Sequence, residues 1–268
     1  MAPARRAVPL VVAARGADLP ARRRVLFSTG LSEAQHSHAE TPFDVVARPI
    51  EREPDSPWRG TWNPTHPFQR FVDVSDGRVG LAFLGEGLRE YEVFDRPNRT
   101  LAVTLLRAFE VALTTVSWRW ERHPEMRLSQ APGEHVIRYA LFPHAGTWED
   151  ANLPEVADRF LVPLRTAQAG TGSGTLPLSF SALELEPATL QMSAFKPAED
   201  GRATAVVRLY NPTSRAVNGT LRFGWPLRNA WLLNLNEERQ QPLTVKDRHT
   251  VLLSVGPKKI VTVELERL

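Results

Sequence analysis

From Arg24 onward, runs of Val, Leu, Phe and Thr are cut at short intervals by Gly, Pro, Asn and Asp. That pattern predicts strands joined by tight turns. Phe71-Val72-Asp73-Val74 runs into Ser75-Asp76-Gly77, and Val79 to Leu84 resumes beyond it, which predicts a hairpin. Glu90 to Phe94 predicts another strand. After a turn at Asp95-Arg96-Pro97-Asn98, Thr100 to Leu106 is so continuously apolar that it suits a strand buried on both faces. Glu134 to Phe142 alternates as a strand and is expected to stop at Pro143. Helical spacing occurs once. Leu153, Val156, Ala157, Phe160 and Leu161 follow a capping Thr147 and the acidic pair Glu149 and Asp150, predicting a helix from Trp148 to Phe160.

The composition breaks at Ala169 to Thr175, a run of Gly, Ser and Thr that reads as a linker. Beyond it, strands are expected at Leu183–Glu186, Leu190–Lys196, Ala203–Tyr210, Gly219–Phe223, Ala230–Leu235, Thr250–Val255 and Ile260–Leu265. Short strands at this spacing indicate a small immunoglobulin-like sandwich without a disulfide. A length of 268 residues suits two compact units.

Composition removes several kinds of chemistry. The chain has no cysteine, which excludes disulfides, a thiol nucleophile and thiolate metal sites. With 33 Lys and Arg against 30 Asp and Glu, the net charge of +3 gives no basic stripe, so nucleic acid is not an expected partner. No run approaches the roughly 20 apolar residues that span a bilayer. Residues 2–14 make a poor signal peptide, since Pro9 interrupts the apolar stretch and Arg15 follows it. Residues 1–24 are expected to be a disordered or remnant leader, and the location cytoplasmic.

Histidines and carboxylates are the natural catalytic candidates. His36-Ser37-His38 with Glu40 could ligate a metal, but the segment reads as a solvated loop. His66 and His144 lie in proline-rich turns, where structural roles are the default. Glu90 and Glu92, two apart on one strand, share a face with Tyr91 opposite. Glycosidases need two carboxylates about 5–10 Å apart across the bond, a separation that sequence spacing does not establish. There is no G-x-S-x-G elbow, P-loop or dinucleotide fingerprint. Of the seven tryptophans, Trp58 and Trp62 in a Pro-rich segment are the candidates for stacking on a sugar ring, whereas Trp118, Trp120 and Trp231 suit core packing.

Several segments, in order, resemble one family. Asn63-Pro64-Thr65-His66-Pro67-Phe68-Gln69-Arg70-Phe71-Val72-Asp73-Val74-Ser75-Asp76-Gly77, Gly87-Leu88-Arg89-Glu90-Tyr91-Glu92-Val93, Thr100 to Arg107, Gly133-Glu134-His135 with Tyr139 to His144, and Val207-Arg208-Leu209-Tyr210-Asn211-Pro212 are similar to the C-terminal β region of family 38 glycoside hydrolases, the α-mannosidases and mannosylglycerate hydrolases. The resemblance implies a mainly β protein: a large, supersandwich-like antiparallel β-sandwich over 25–168, a linker at 169–180 and a small sandwich over 181–268. It also implies that the chain lacks the N-terminal barrel that carries the family's nucleophile, acid/base carboxylate and zinc, so no catalytic residue and no cofactor is expected here. Zinc belongs to the absent catalytic domain. The chain would then be a truncated reading frame or a split subunit. Its partners would be a mannoside and the family's catalytic barrel and helical bundle, in cis or as a separate chain. Loops of the β region would complete the substrate cleft, with His66, Arg70, Glu90, Tyr91 and Arg107 the expected substrate-binding residues, although Glu90 and Arg107 could equally pair with each other. The alternatives are a free-standing carbohydrate-binding module and a non-catalytic interaction scaffold.

Overall fold

The structure is a computed structural model that describes residues 7–15, 21–51, 64–94, 98–113, 120–123, 125–175 and 177–268. These form two compact units. One runs to residue 161 without 42–45; the other comprises those four residues and 162–268.

In chain order the first unit holds β1 (Val8–Arg15), β2 (Ala21–Ser28), β3 (His36–Thr41), β4 (Asp44–Pro49, whose first two residues fall in the other unit), β5 (His66–Pro67), β6 (Phe71–Ser75), β7 (Val79–Gly85), β8 (Glu90–Val93), β9 (Thr100–Ala108), β10 (Val111–Leu113), β11 (Trp120–Arg122), β12 (Glu134–Ala145) and helix α1 (Leu153–Leu161). A six-stranded sheet has the order β1-β12-β7-β6-β3-β4 and a four-stranded sheet the order β2-β9-β8-β5; β10 and β11 pair separately. Every pairing of known register among them is antiparallel. The two larger sheets face each other as a sandwich. Val72, Phe83, Ile137 and Tyr139 from one meet Tyr91, Leu101 and Val103 from the other in one buried cluster. Alternation explains this: Ile137 and Tyr139, and likewise Leu101 and Val103, are two apart on their strands and so share the inward face.

The β6–β7 hairpin follows the expected turn. Asp76 Oδ1 accepts from the Arg78 and Val79 amides, and Gly77 takes φ +87°. On β9, Leu101, Ala102 and Val103 have no exposed surface.

Four local expectations are corrected. Residues 8–15, expected to belong to a leader, are an edge strand whose Leu10 and Val12 pack on the sandwich core and which pairs residue for residue with β12. His36–Thr41, expected to be loop, is β3, because its small residues Ser37 and Ala39 fit an inward face. Pro143 does not end β12. The strand runs to Ala145, and beyond Leu141 its pairing is with β7 alone, so the missing N–H can be accommodated on the side that β1 no longer covers. The helix begins at Leu153, not Trp148. Thr147 and Asp150 cap a separate turn reciprocally, Thr147 Oγ1 donating to Asp150 Oδ2 at 2.7 Å, and Asn152 at φ +47° interrupts the path before α1 starts.

The second unit holds β13 (Leu183–Glu186), β14 (Gln191–Pro197), β15 (Ala205–Asn211), β16 (Val217–Phe223), β17 (Leu227–Leu233), β18 (Arg239–Leu243), β19 (Val245–Lys246), β20 (Thr250–Val255) and β21 (Lys259–Arg267). Sheets ordered β13-β16-β20-β19 and β14-β15-β21-β17-β18 enclose a core of Val207, Leu209, Leu221, Val251, Val263 and Leu265. Among the described residues of 162–182 there is no helix or strand. The fully buried Asn211 ties the end of β15 to its surroundings. Its amide nitrogen lies 2.6, 3.2 and 3.0 Å from the carbonyls of Arg215, Val255 and Gly256, and its Oδ1 accepts from Thr213. A buried amide with all its groups answered fixes a turn where an unanswered one would cost about 1–3 kcal/mol.

Candidate functional site

The expected residues fall into two groups. On the four-stranded sheet, β5 pairs with β8 so that His66 lies opposite Tyr91 and Pro67 opposite Glu90. Alternation then sends neighbouring side chains of β8 to opposite faces. Tyr91 points inward and is fully buried, its hydroxyl 3.0 Å from Ser37 Oγ and 3.3 Å from an Arg48 nitrogen. The His66 ring lies 5.8 Å from the Tyr91 ring. Burial holds the His66 imidazole below its ordinary pKa; the Arg48 charge adds to this and Glu92 opposes it.

Glu90 and Glu92 point the other way. Thr104 donates to Glu90 Oε1 at 2.7 Å, Arg22 reaches the same oxygen at 2.8 Å, and Arg107 donates to Oε2 at 2.9 Å. Glu92 is paired with Arg24. Both carboxylates of the strand are therefore neutralised by guanidinium groups. Glu90 and Arg107 do pair with each other, yet the Arg107 side chain keeps 64% of its surface exposed, so its remaining donors face outward. A guanidinium of that kind can hold two hydroxyls in one plane. The sequence alone passed over Arg22, Arg24 and Thr104 as members of this network. Their signal was the register of β2 on β9, which sets Arg22 opposite Arg107 and Arg24 opposite Thr104.

Arg70 belongs elsewhere. Its guanidinium grips Glu40, whose side chain is 3% exposed, with Nε 2.9 and 2.7 Å from the two oxygens, and it also pairs with Asp158 of α1. The Arg70 amide donates to Glu40 Oε2 at 3.1 Å. This arrangement pins the helix to the six-stranded sheet. A second buried pair, His144 Nε2 and Asp73 Oδ1 at 2.9 Å, joins β12 to β6. His144 thus sits inside a strand, not in the turn expected of it.

Among the described residues, no group of three His, Cys, Asp or Glu side chains is placed to hold a metal ion. His36, His38 and Glu40 share one face of β3, but the Glu40 carboxylate is committed to Arg70. Trp58, Trp62 and Trp118 lie outside the described residues. No helix among those described is long and apolar enough to cross a membrane.

With the two facing antiparallel sheets and the small β-sandwich in place, the comparisons with known proteins point to family 38 glycoside hydrolases. Residues 189–263 match the family model described as the glycosyl hydrolases family 38 C-terminal beta sandwich domain. The particular proteins to which the chain is similar are α-mannosidases. Human alpha-mannosidase 2C1 is 27% identical over 201 residues, covering 73% of this chain and 17% of that protein; the mouse protein is 28% identical over 173 residues, covering 63% and 15%. The crystal structure of an alpha-mannosidase from Enterococcus faecalis V583 superposes with a TM-score of 0.75 at 28% identity over 91% of this chain and 26% of its own. A second Enterococcus faecalis structure, of a family 38 protein, gives 0.72 at 27% identity with the same coverage. The chain therefore spans about a sixth of the curated relatives and about a quarter of the solved ones.

Proposed function

We propose that this chain is the cleft-supporting C-terminal β region of an α-mannosidase-like retaining glycoside hydrolase, and that it acts with a zinc-bearing catalytic barrel and helical bundle supplied in cis or by another chain. The observation that carries this reading is the superposition of nine-tenths of the chain on a quarter of an α-mannosidase. The substrate on this reading is a mannoside, and the location cytoplasmic.

Within that role the residues divide by exposure. Glu90 and Arg107, on the outward face where β8 and β9 pair, are the part we assign to the substrate cleft, whereas His66 lies on the Tyr91 face of the sheet. Arg107 would offer paired donors to adjacent sugar hydroxyls while Glu90 fixes its orientation. Tyr91 and Arg70 hold the frame, one inside the sandwich and the other beneath α1. Such groups raise the rate by positioning the substrate, not by transferring a proton.

A direct test is hydrolysis of 4-nitrophenyl α-mannoside by the purified 268-residue chain with zinc present. No release of nitrophenolate above background is expected. Hydrolysis that disappears on replacing a carboxylate of this chain would overturn the proposal.

A further inference from the structure

One end of the small sandwich carries a cavity of about 360 Å³ that the mannosidase reading does not use. Phe195 and Pro197 of β14, Phe223 at the end of β16, Trp225 and Leu265 of β21 make its walls, and these are overwhelmingly apolar. The Trp225 ring lies 5.1 Å from Phe223 and 5.0 Å from Phe180, and Phe223 packs edge-on against Phe195 at 6.2 Å.

Charge at the rim is of one sign. Lys196 is already neutralised by Glu199 at 2.7 Å and Glu237 at 2.6 Å. Arg267 is not. Its guanidinium lies 5.5 Å from the Trp225 ring centre and has no carboxylate partner among the described residues, while the adjacent Glu266 is engaged by Asn229 and Arg228. Stacking on an indole face orients a guanidinium and leaves its in-plane donors free.

We propose that this cavity binds an amphipathic organic carboxylate: a flat apolar body of one or two rings inside, with its carboxylate on Arg267. The volume falls in the usual range for small-molecule sites, and so does the chemistry of apolar walls with one placed charge. A sugar fits it poorly. Its hydroxyls would meet mostly carbon, with only Thr204, Lys196 and Arg267 to answer them, and each unanswered group costs free energy. The site is independent of the mannosidase reading.

The test is titration of the full chain with indole-3-propionate, its primary amide and tryptamine, followed by calorimetry. The acid is expected to bind one per chain, the amide at least tenfold more weakly, and tryptamine not measurably. Arg267→Gln should bring acid and amide to the same affinity without moving the thermal midpoint appreciably. Ala203→Phe, at an exposed position on the cavity mouth, should abolish binding of both. Methyl α-mannoside should not displace the acid. The proposal is overturned if the wild-type chain shows no saturable binding, if it binds acid and amide equally, or if methyl α-mannoside competes. The comparison of acid with amide uses unaltered protein, so it stands even where a variant fails to fold.

Discussion

Gly80 shows how one residue can hold a buried hydrogen bond in place. A Cβ at this position would run into the His144 ring and the Ser75 side chain, so the hydrogen bond between His144 and Asp73 exists only because β7 carries no side chain there. Gly80→Ala should therefore destabilise the fold by about 1–3 kcal/mol, the usual cost of overpacking, measured as a lower urea midpoint with an unchanged slope. A neutral effect would mean that the pair can shift without cost. Two buried carboxylates of the second unit set a pH dependence. Arg239, hydrogen-bonded to Glu264 through both oxygens, holds that carboxyl below the usual range, with Arg202 and Thr204 assisting against burial. Burial alone would raise Glu237, but Lys196, the Glu199 amide and Arg208 overcome it, and its pKa also lies low. Lowered folded-state values stabilise the fold above the unfolded carboxyl pKa of about 4.3, and that contribution is lost as the pH falls below it toward the folded values. Thermal midpoints recorded from pH 6 to pH 3 should fall steeply in the lower half of that range, and Glu264→Gln should flatten the fall. An equally steep fall in the variant would remove Glu264 from the account.

At the scale of elements, the attachment of α1 can be separated into a strong and a weak link. Glu40 is buried and relies on Arg70, whereas Asp158 is half exposed and its pairing with Arg70 is screened by water. Arg70→Ala leaves a buried carboxylate without its cation and should cost about 3–5 kcal/mol, while Asp158→Ala should cost under about 1 kcal/mol. Equal losses in paired denaturation curves would show that the helix contact, not Glu40, is what Arg70 serves. The same elements show what could be read from the chain. The β6–β7 hairpin was legible because Asp76 and Gly77 are turn chemistry between two apolar runs. Residues 8–15 were not, because their Ala, Arg and Pro content masks the two residues, Leu10 and Val12, that the core uses. Nor was β3. A His-Ser-His run looks like solvent-facing loop, and it takes the Tyr91 hydroxyl across the sandwich and the Arg48 carbonyl to explain why Ser37 is accepted inside. The pairing of Glu90 with Arg107 could be guessed from chain order, but the separation of Arg70 from it could not, since that depends on where β3 and α1 lie in three dimensions.

For the whole molecule, the central claim is that these sheets complete an enzyme whose bond-breaking groups reside in a separate portion. Nearly all of the chain superposes on a quarter of the Enterococcus faecalis α-mannosidase, and that correspondence can be used directly. The decisive measurement is complementation. The Enterococcus faecalis enzyme, expressed without its matching C-terminal quarter, is mixed with this chain and assayed on 4-nitrophenyl α-mannoside after gel filtration. Co-elution with a gain in hydrolysis of at least tenfold over the truncated enzyme is the predicted result, reduced when Arg107→Ala is used in place of the wild-type chain. Separate elution with no gain in activity would contradict the account.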